Sequence, residues 1–110
     1  MTERLECRFF RNANGTEPVR DWLKTLPKAV RVEVGADIRR VQMEWPVSKP
    51  LVDGLGERLY EVRTKVDRIQ YRVLFCIVSS TMVLLHGFKK KARTAPSEIA
   101  IGRQRQKEVE

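Results

Sequence analysis

The sequence is short of most of what common catalytic chemistry uses. It holds one histidine and two cysteines in 110 residues. Cys7 and Cys76 have no CxxC spacing and no Cys/His neighbour, which gives a zinc site no support. Both fall inside apolar strand patterns and read as buried, reduced thiols, in keeping with a reducing cytoplasm. No nucleophile elbow, HExxH motif or paired acidic dyad occurs. Gly54-Leu55-Gly56 lacks both the pattern of a phosphate-cradling loop and the strand that should precede one. No apolar run approaches the roughly 20 residues that a membrane span needs, and MTERLECRFF lacks the apolar segment of a signal peptide. The expected location is therefore cytoplasmic. Internal repeats and low-complexity segments are missing as well.

Acidic residues are the other shortage. Fourteen Asp and Glu stand against 22 Lys and Arg, for a formal net charge of +8. In a chain of one-domain length such a balance points to a polyanionic partner, most often nucleic acid. A basic protein that is merely soluble, or one with an acidic protein partner, fits the same numbers. The 42% hydrophobic content is that of a globular chain, and residues 1–110 read as a single domain.

What is present is an alternation of strand and helix patterns. Arg4–Phe10 alternates, with Leu5, Cys7 and Phe9 on one face, and Asn14-Gly15 makes a turn after it. Thr16 is a candidate cap for a short helix carrying Val19, Trp22, Leu23 and Leu26. Pro27 breaks it, and Lys28–Trp45 follows with Val30, Val34, Ile38, Val41 and Trp45 at helical spacing. The mixed charges on the other side of that helix read as a solvated face. Pro46–Glu57 is a Pro- and Gly-rich connection. Three strands then follow, Leu59–Lys65, Ile69–Val78 and Thr81–Phe88, and a closing helix capped by Ser97 or Thr94. The order β-α-α-β-β-β-α predicts an α+β fold, with helices packed on one face of a largely antiparallel four-stranded sheet. The other face is expected to be partly bare, with exposed apolar residues at one end and cations at the other.

Turn lengths suggest a register. A Ser79-Ser80 turn sets Val78 opposite Thr81, Leu74 opposite Leu85 and Arg72 opposite Gly87. A Val66–Ile69 loop sets Lys65 opposite Gln70 and Arg63 opposite Arg72. One face then carries Tyr60, Val62, Tyr71, Val73, Phe75, Ile77, Met82, Leu84, His86 and Phe88, a core face. The other places Arg63, Lys65, Arg72, Gly87 and Lys89 together. Like charges facing each other across a ladder are destabilising, so the Arg63–Arg72 pair asks for a functional reason, and a bound polyanion is the obvious one.

The candidate chemistry is cationic. Arg63, Lys65, Arg68, Arg72, Lys89, Lys90, Lys91 and Arg93 form the cluster. Cations suffice to bind phosphate, and they support RNA cleavage without metal. In that reaction the 2′-OH attacks the adjacent phosphate, so guanidinium groups must stabilise the extra charge. A lysine with a lowered pKa can move protons. His86 reads more readily as a packed core residue than as a general base. Phe88 offers a stacking surface for a base, and reaches the cationic face through a bulge at the strand's end.

LYEVR, then QYRVLF, then LHGFKKK before a proline and a closing helix, together with PVRDWL near the N-terminus, resemble the RelE/HigB superfamily of toxins from type II toxin–antitoxin pairs. The phage-derived HigB-like branch is most similar, over nearly the whole chain. The resemblance implies a RelE-like, microbial-RNase-like fold and an mRNA endoribonuclease (an mRNA interferase) working in the ribosomal A site, with no cofactor and no metal. It also implies a cognate antitoxin, often a helix-turn-helix DNA-binding protein, through which alone the toxin meets operator DNA. By motif, Arg63 and Arg72 match basic sheet positions of the family, and Lys89 with Lys90 and Lys91 match those after the final strand. Arg72 is then the transition-state phosphate clamp, Lys89 a possible acid, and Arg63 or Lys65 the group near the nucleophile. Lys65, Arg68, Phe88, Lys90, Lys91 and Arg93 would bind RNA. A tyrosine that some relatives carry near the scissile phosphate is missing from ARTAPSEI, as are the several histidines of other branches. The alternative is a non-catalytic nucleic-acid-binding or operon-regulating relative.

Overall fold

Alternating and doubly apolar segments become strands here, and two stretches with helical spacing become a helical hairpin laid across them. The computed structural model describes residues 4–91 and 94–110. The elements are β1 (Glu6–Phe9), α1 (Pro18–Lys24), α2 (Lys28–Glu44), β2 (Val52–Gly54), β3 (Tyr60–Val66), β4 (Ile69–Val78), β5 (Thr81–Lys90) and α3 (Pro96–Val109). They form one five-stranded sheet in the order β1-β5-β4-β3-β2. β1 runs parallel to β5 and every other pairing is antiparallel. The α+β class is as expected, with one strand more than expected. The extra one is β2, three residues from the Pro- and Gly-rich connection, too short for alternation to mark it.

The hairpin of α1 and α2 covers one face through Val19, Leu26, Val30, Val34, Ile38 and Val41, which meet Val62, Tyr71, Val73, Phe75, Met82 and Leu84 of the sheet. Each such side chain contributes on the order of 1.5–3 kcal/mol by leaving water. The N-termini differ from expectation. Glu17 rather than Thr16 precedes α1, with Pro18 at its first turn, because the Thr16 hydroxyl is bonded to Asn14 instead. α3 likewise starts at Pro96 with neither Thr94 nor Ser97 as a side-chain cap.

The opposite face corrects the picture of a bare surface. α3 packs there, over a second cluster of Phe10, Leu59, Leu74, Cys76, Val83, Leu85 and Phe88. Helices therefore cover both faces. Gly102 allows the close approach, since a Cβ on it would come within 2.7 Å of Leu74 Cδ1. Polar side chains of α3 then serve backbone carbonyls beneath it: Arg103 donates to Leu55 and Gly56, and Gln106 to Glu57. A helix weakly amphipathic by sequence is thus held by one glycine contact and several directed hydrogen bonds.

The register between β3 and β4 is the expected one, Arg63 opposite Arg72 and Lys65 opposite Gln70. Asp67 and Arg68 both have positive φ, as a two-residue hairpin turn matched to the strand twist requires. The register between β4 and β5 starts as expected at Val78–Thr81 and then shifts. Phe75 faces Leu84, yet Leu74 faces His86, leaving Leu85 as the extra residue of a β-bulge. Arg72 is consequently opposite Phe88, and Val73 opposite Gly87. The bulge turns His86 and Phe88 out of the hairpin core and toward α3, while Gly87 and Lys89 turn toward the hairpin. Two contacts hold it. Arg105 donates to the Leu85 carbonyl at 2.9 Å, and the Trp22 indole fills the space that any side chain at position 87 would need.

Candidate functional site

The α3-facing side of the sheet ends, past its apolar half, in ionisable groups contributed by three neighbouring strands. Glu61, Arg63 and Lys65 alternate along β3, Gln70 and Arg72 along β4, and Phe88 and Lys90 along β5. Directly opposed residues of an antiparallel pair have Cβ atoms about 4.5–5.5 Å apart, so Arg63 and Arg72 are close neighbours of like charge.

The two arginines sit very differently. Arg72 is 2% exposed. Its Nη1 donates to the Tyr71 carbonyl at 3.1 Å, its Nη2 donates to Gln70 Oε1, and its Nε lies 3.3 Å from Glu61 Oε1. That last contact is an ion pair that does not have the geometry of a hydrogen bond, and it leaves Nε without a hydrogen-bond partner. Glu61, equally buried, also accepts a hydrogen bond from the Thr94 hydroxyl at 2.6 Å. Burial pushes the Arg72 guanidinium below its ordinary pKa, the Glu61 charge opposes that fall, and the Arg63 charge adds to it. Arginine starts so high that it stays charged all the same. Arg63 is half-buried and has no ion pair or side-chain hydrogen bond among the described residues.

Both arginines line a cleft of about 380 Å³ along the edge of β3, where β2 has already ended. Lys65, Gln70 and Thr64 continue its wall, and Asp37 and Arg40 of α2 close it from the hairpin side. The Thr64 hydroxyl donates to Asp37 Oδ2 at 2.7 Å and fixes that carboxylate. A second cleft of about 240 Å³ lies at the end of β5, between Phe88, Lys89, Lys90 and Lys91 and the start of α3. Phe88 is its apolar wall, stacked on His86 with ring centroids 5.4 Å apart.

Measured against the expected site, the structure brings Arg63, Lys65 and Arg72 together in one cleft. Lys90 and Phe88 join Arg72's side of the sheet, facing Gln70 and Arg72. Lys89 does not. It faces Tyr71 across the ladder and points to the hairpin side, because the bulge at Leu85 reverses parity from there on. Arg68 stands exposed at the hairpin tip, four residues and so ~13 Å along β4 from Arg72. Lys91 follows the strand end at the second cleft. Arg93 lies outside the described residues. His86, expected in the core under the hairpin, is instead on the α3 side: Nε2 is 3.0 Å from Glu98 and Nδ1 is 3.4 Å from Arg105. An Arg105 donor at Nδ1 leaves the ring proton on Nε2, pointing at Glu98.

Sequence reading missed Glu61, Gln70, Asp37 and Arg40. Parity had already put Glu61 beside Arg63, which was the available signal for the first. The α2 pair resembled any solvated charge. Among the described residues no three His, Cys, Asp or Glu side chains come together as a metal site would require.

Residues 21–107 match the family described as phage derived protein Gp49-like (DUF891). The chain belongs to that family. The Gp49-like fold is similar to a solved structure of a mutant of the E. coli toxin RelE in the free state. The TM-score is 0.66 and the identity 13%, over 94% of this chain and 98% of that one. No curated protein is significantly similar in sequence. The RelE-like fold expected from LYEVR, QYRVLF and LHGFKKK is thus observed, and the family is a phage-derived one, as expected.

Proposed function

We propose that this protein is the toxin of a toxin–antitoxin pair and acts as an endoribonuclease on mRNA, in the ribosomal A site. The observation that carries the proposal is the Arg63–Arg72 pair, two like charges set opposite each other at the wall of an open cleft. Such an arrangement costs stability unless an anion repays it. The RelE-like fold supports the same reading.

In the reaction we envisage, the 2′-OH gives up its proton, its oxygen bonds to the adjacent phosphorus, and the bond to the 5′-oxygen breaks as that oxygen takes a proton. The products are a 2′,3′-cyclic phosphate and a free 5′-hydroxyl. Arg63 and Lys65, with donors to spare, would hold the phosphate oxygens. Arg72 would add a fixed positive charge beneath them, with N–H groups beyond those engaged by Tyr71, Gln70 and Glu61. Charge fixed in advance, where water is scarce, is what stabilises a pentavalent phosphate. Lys90, across from Gln70, is better sited than Lys89 to serve as an acid. Phe88, Lys91 and Arg68 would guide the strand. The partners are mRNA, the ribosome and a cognate antitoxin, the last being the only route to operator DNA.

The test is to map mRNA 5′ ends after induced expression of the wild type and of a variant with Arg63 and Lys65 both changed to Ala. New ends and arrested translation are expected from the wild type alone. If the folded double variant cleaved equally well, the cleft would not be the site. A second reading, a non-catalytic nucleic-acid binder, is favoured by one observation: Glu61 already neutralises much of Arg72. It predicts salt-dependent RNA binding with no cleavage even when ribosomes are present.

A further inference from the structure

Cleavage by a 2′-OH needs a group to take that hydroxyl's proton, and the Arg63–Arg72 cleft offers little choice. Of the ionisable groups among its lining residues, Arg40, Arg63, Lys65 and Arg72 are cations. Arginine stays charged in proteins and has no lone pair to offer. A lysine carries its proton at neutral pH, and so enters such a reaction as an acid or a fixed charge. Gln70 does not titrate, and the Thr64 hydroxyl already gives its hydrogen to Asp37. Asp37 is the one carboxylate in the lining.

Its setting is that of a poised acceptor. The hydroxyl of the buried Thr64 holds Oδ2 at 2.7 Å and so fixes the carboxylate. Oδ1 has no hydrogen bond and Asp37 no ion pair among the described residues, although four cations line the same cleft. β2 pairs with β3 only as far as Val62, and Leu51 takes up the Arg63 N–H, so the strand edge is open from Thr64 on. A nucleotide lying over that edge meets Arg63, Lys65 and Arg72 from one face of the sheet and Asp37 from the other. At about 380 Å³ the cleft is at the small end for a ligand site, so one nucleotide would touch both sides.

We propose that Asp37 is the general base of RNA cleavage, a role that rests on the ribonuclease reading of this cleft. Asp37 Oδ1 takes the proton of the 2′-OH while that oxygen bonds to phosphorus. The bond from phosphorus to the 5′-oxygen breaks, and the departing oxygen takes a proton from a lysine such as Lys90. Asp37 then returns its proton to water. Arg63 and Lys65, neither of them ion-paired among the described residues, outnumber the carboxylate, so an incoming phosphate is still attracted. Once protonated, Asp37 no longer repels the extra negative charge that builds on phosphorus. Thr64 is a positioning residue in this scheme, since it aims the carboxylate without touching RNA.

The experiment measures single-turnover cleavage by the full chain on ribosomes programmed with an mRNA, at the linkage that mapped 5′ ends identify. Asp37→Asn keeps an acceptor for Thr64 and loses the base. It should be slower by about 10²–10⁴-fold, with its thermal melt and its binding to the programmed ribosome unchanged. The wild-type rate should rise with pH from the acid side as the base ionises, and Asp37→Asn should lose that limb. Asp37→Glu keeps the carboxylate on a longer stem and should recover part of the rate together with the limb. Thr64→Val breaks the contact but keeps the carboxylate, and should cost far less than Asp37→Asn; a merely structural Asp37 predicts the reverse. A substrate with sulfur in place of the scissile 5′-oxygen, whose leaving group needs no proton, should show the full deficit of Asp37→Asn. The proposal is overturned if Asp37→Asn cleaves like the wild type, or if Thr64→Val is the more damaging change. It is equally overturned if the sulfur substrate erases the deficit, which would make Asp37 the acid. In each of these cases a loss of cleavage in Arg63→Ala would keep the cleft as the site. A wild type that cuts nothing on programmed ribosomes overturns the inference and the ribonuclease reading together.

Discussion

The two faces of the sheet solve the same burial problem with different chemistry. Under the helical hairpin the contacts are nearly all apolar, the polar exceptions being Thr64 with Asp37 and Gln42 with the Leu5 backbone. Under α3 the apolar cluster adjoins a buried ion pair, Glu61 with Arg72, and polar helix residues bonded to backbone carbonyls. The hairpin face tolerates any arrangement of similar volume, whereas the α3 face depends on particular donors and acceptors. A face that holds charge out of water needs a reason beyond stability, and the cleft at its end supplies one.

The sharpest way to break the contrast is at Arg72. Arg72→Ala leaves the Glu61 carboxylate buried without its partner, and should cost about 3–5 kcal/mol in urea unfolding. Loss of activity in that variant would therefore say little about catalysis. A double change, Arg72→Met with Glu61→Leu, removes both charges and should restore stability to about the wild-type level or above, because paired hydrophobic replacements of buried ion pairs often do. Cleavage should remain lost. If the double variant were as unstable as Arg72→Ala, the pair would not be the source of the cost.

The next effect is on the other face. Gly87→Ala places a methyl group in the Trp22 ring system and should destabilise by about 1–3 kcal/mol. Gly87→Ala combined with Trp22→Leu should recover part of this, measured by the same unfolding curves. A full cost that persisted in the double variant would mean that the backbone, rather than the indole, sets the limit.

Each face also holds one thiol, Cys7 under the hairpin and Cys76 under α3. Burial pushes both up to about 11 from an ordinary 9.0. Between pH 9 and 11 the unfolded chain ionises its thiols while the folded chain keeps them protonated. The unfolded state then binds fewer protons, and stability falls as pH rises. A Cys7→Ala, Cys76→Ala variant should show a smaller drop in urea midpoint between pH 8 and pH 10.5 than the wild type. At pH 8 both thiols should resist alkylation, and Cys7, half-buried on the edge strand, should react before the fully buried Cys76. The reverse order would argue against the packing of α3.

How much of this was legible in the sequence depends on whether the information was local. The β3–β4 pairing was readable because alternation and a short turn fix it, and Arg63 opposite Arg72 followed. The β4–β5 pairing was readable only as far as Phe75. Nothing within HGFKKK announces that Leu85 is extra, since the cause is Trp22, some sixty residues away, and Arg105 beyond the strand. That single residue moved His86 and Lys89 to the faces opposite those expected, and it brought Phe88 to the cationic face through a bulge three residues earlier than the strand's end where one was expected. α3 escaped notice as a cover because Gly102 and Gln106, its two buried residues, carry no apolar signal.

The smallest expected change in stability is the most informative for function. Arg63 is half-buried, ion-paired to nothing among the described residues, and set against a like charge. Arg63→Ala should alter unfolding by no more than about 0.5 kcal/mol, with a slight gain if repulsion from Arg72 is relieved. Cleavage should nonetheless fall by about 10²–10³-fold, the usual cost of one preorganised donor at a developing oxyanion. Arg63→Lys keeps the charge and loses the two-pronged geometry, and so should fall between the two. A stable Arg63→Ala protein with undiminished cleavage would shift the chemistry away from this cleft toward the lysines around Phe88. The same protein with a marked loss of stability would mean that Arg63 has a folding partner, and its facing Arg72 would no longer call for an anion.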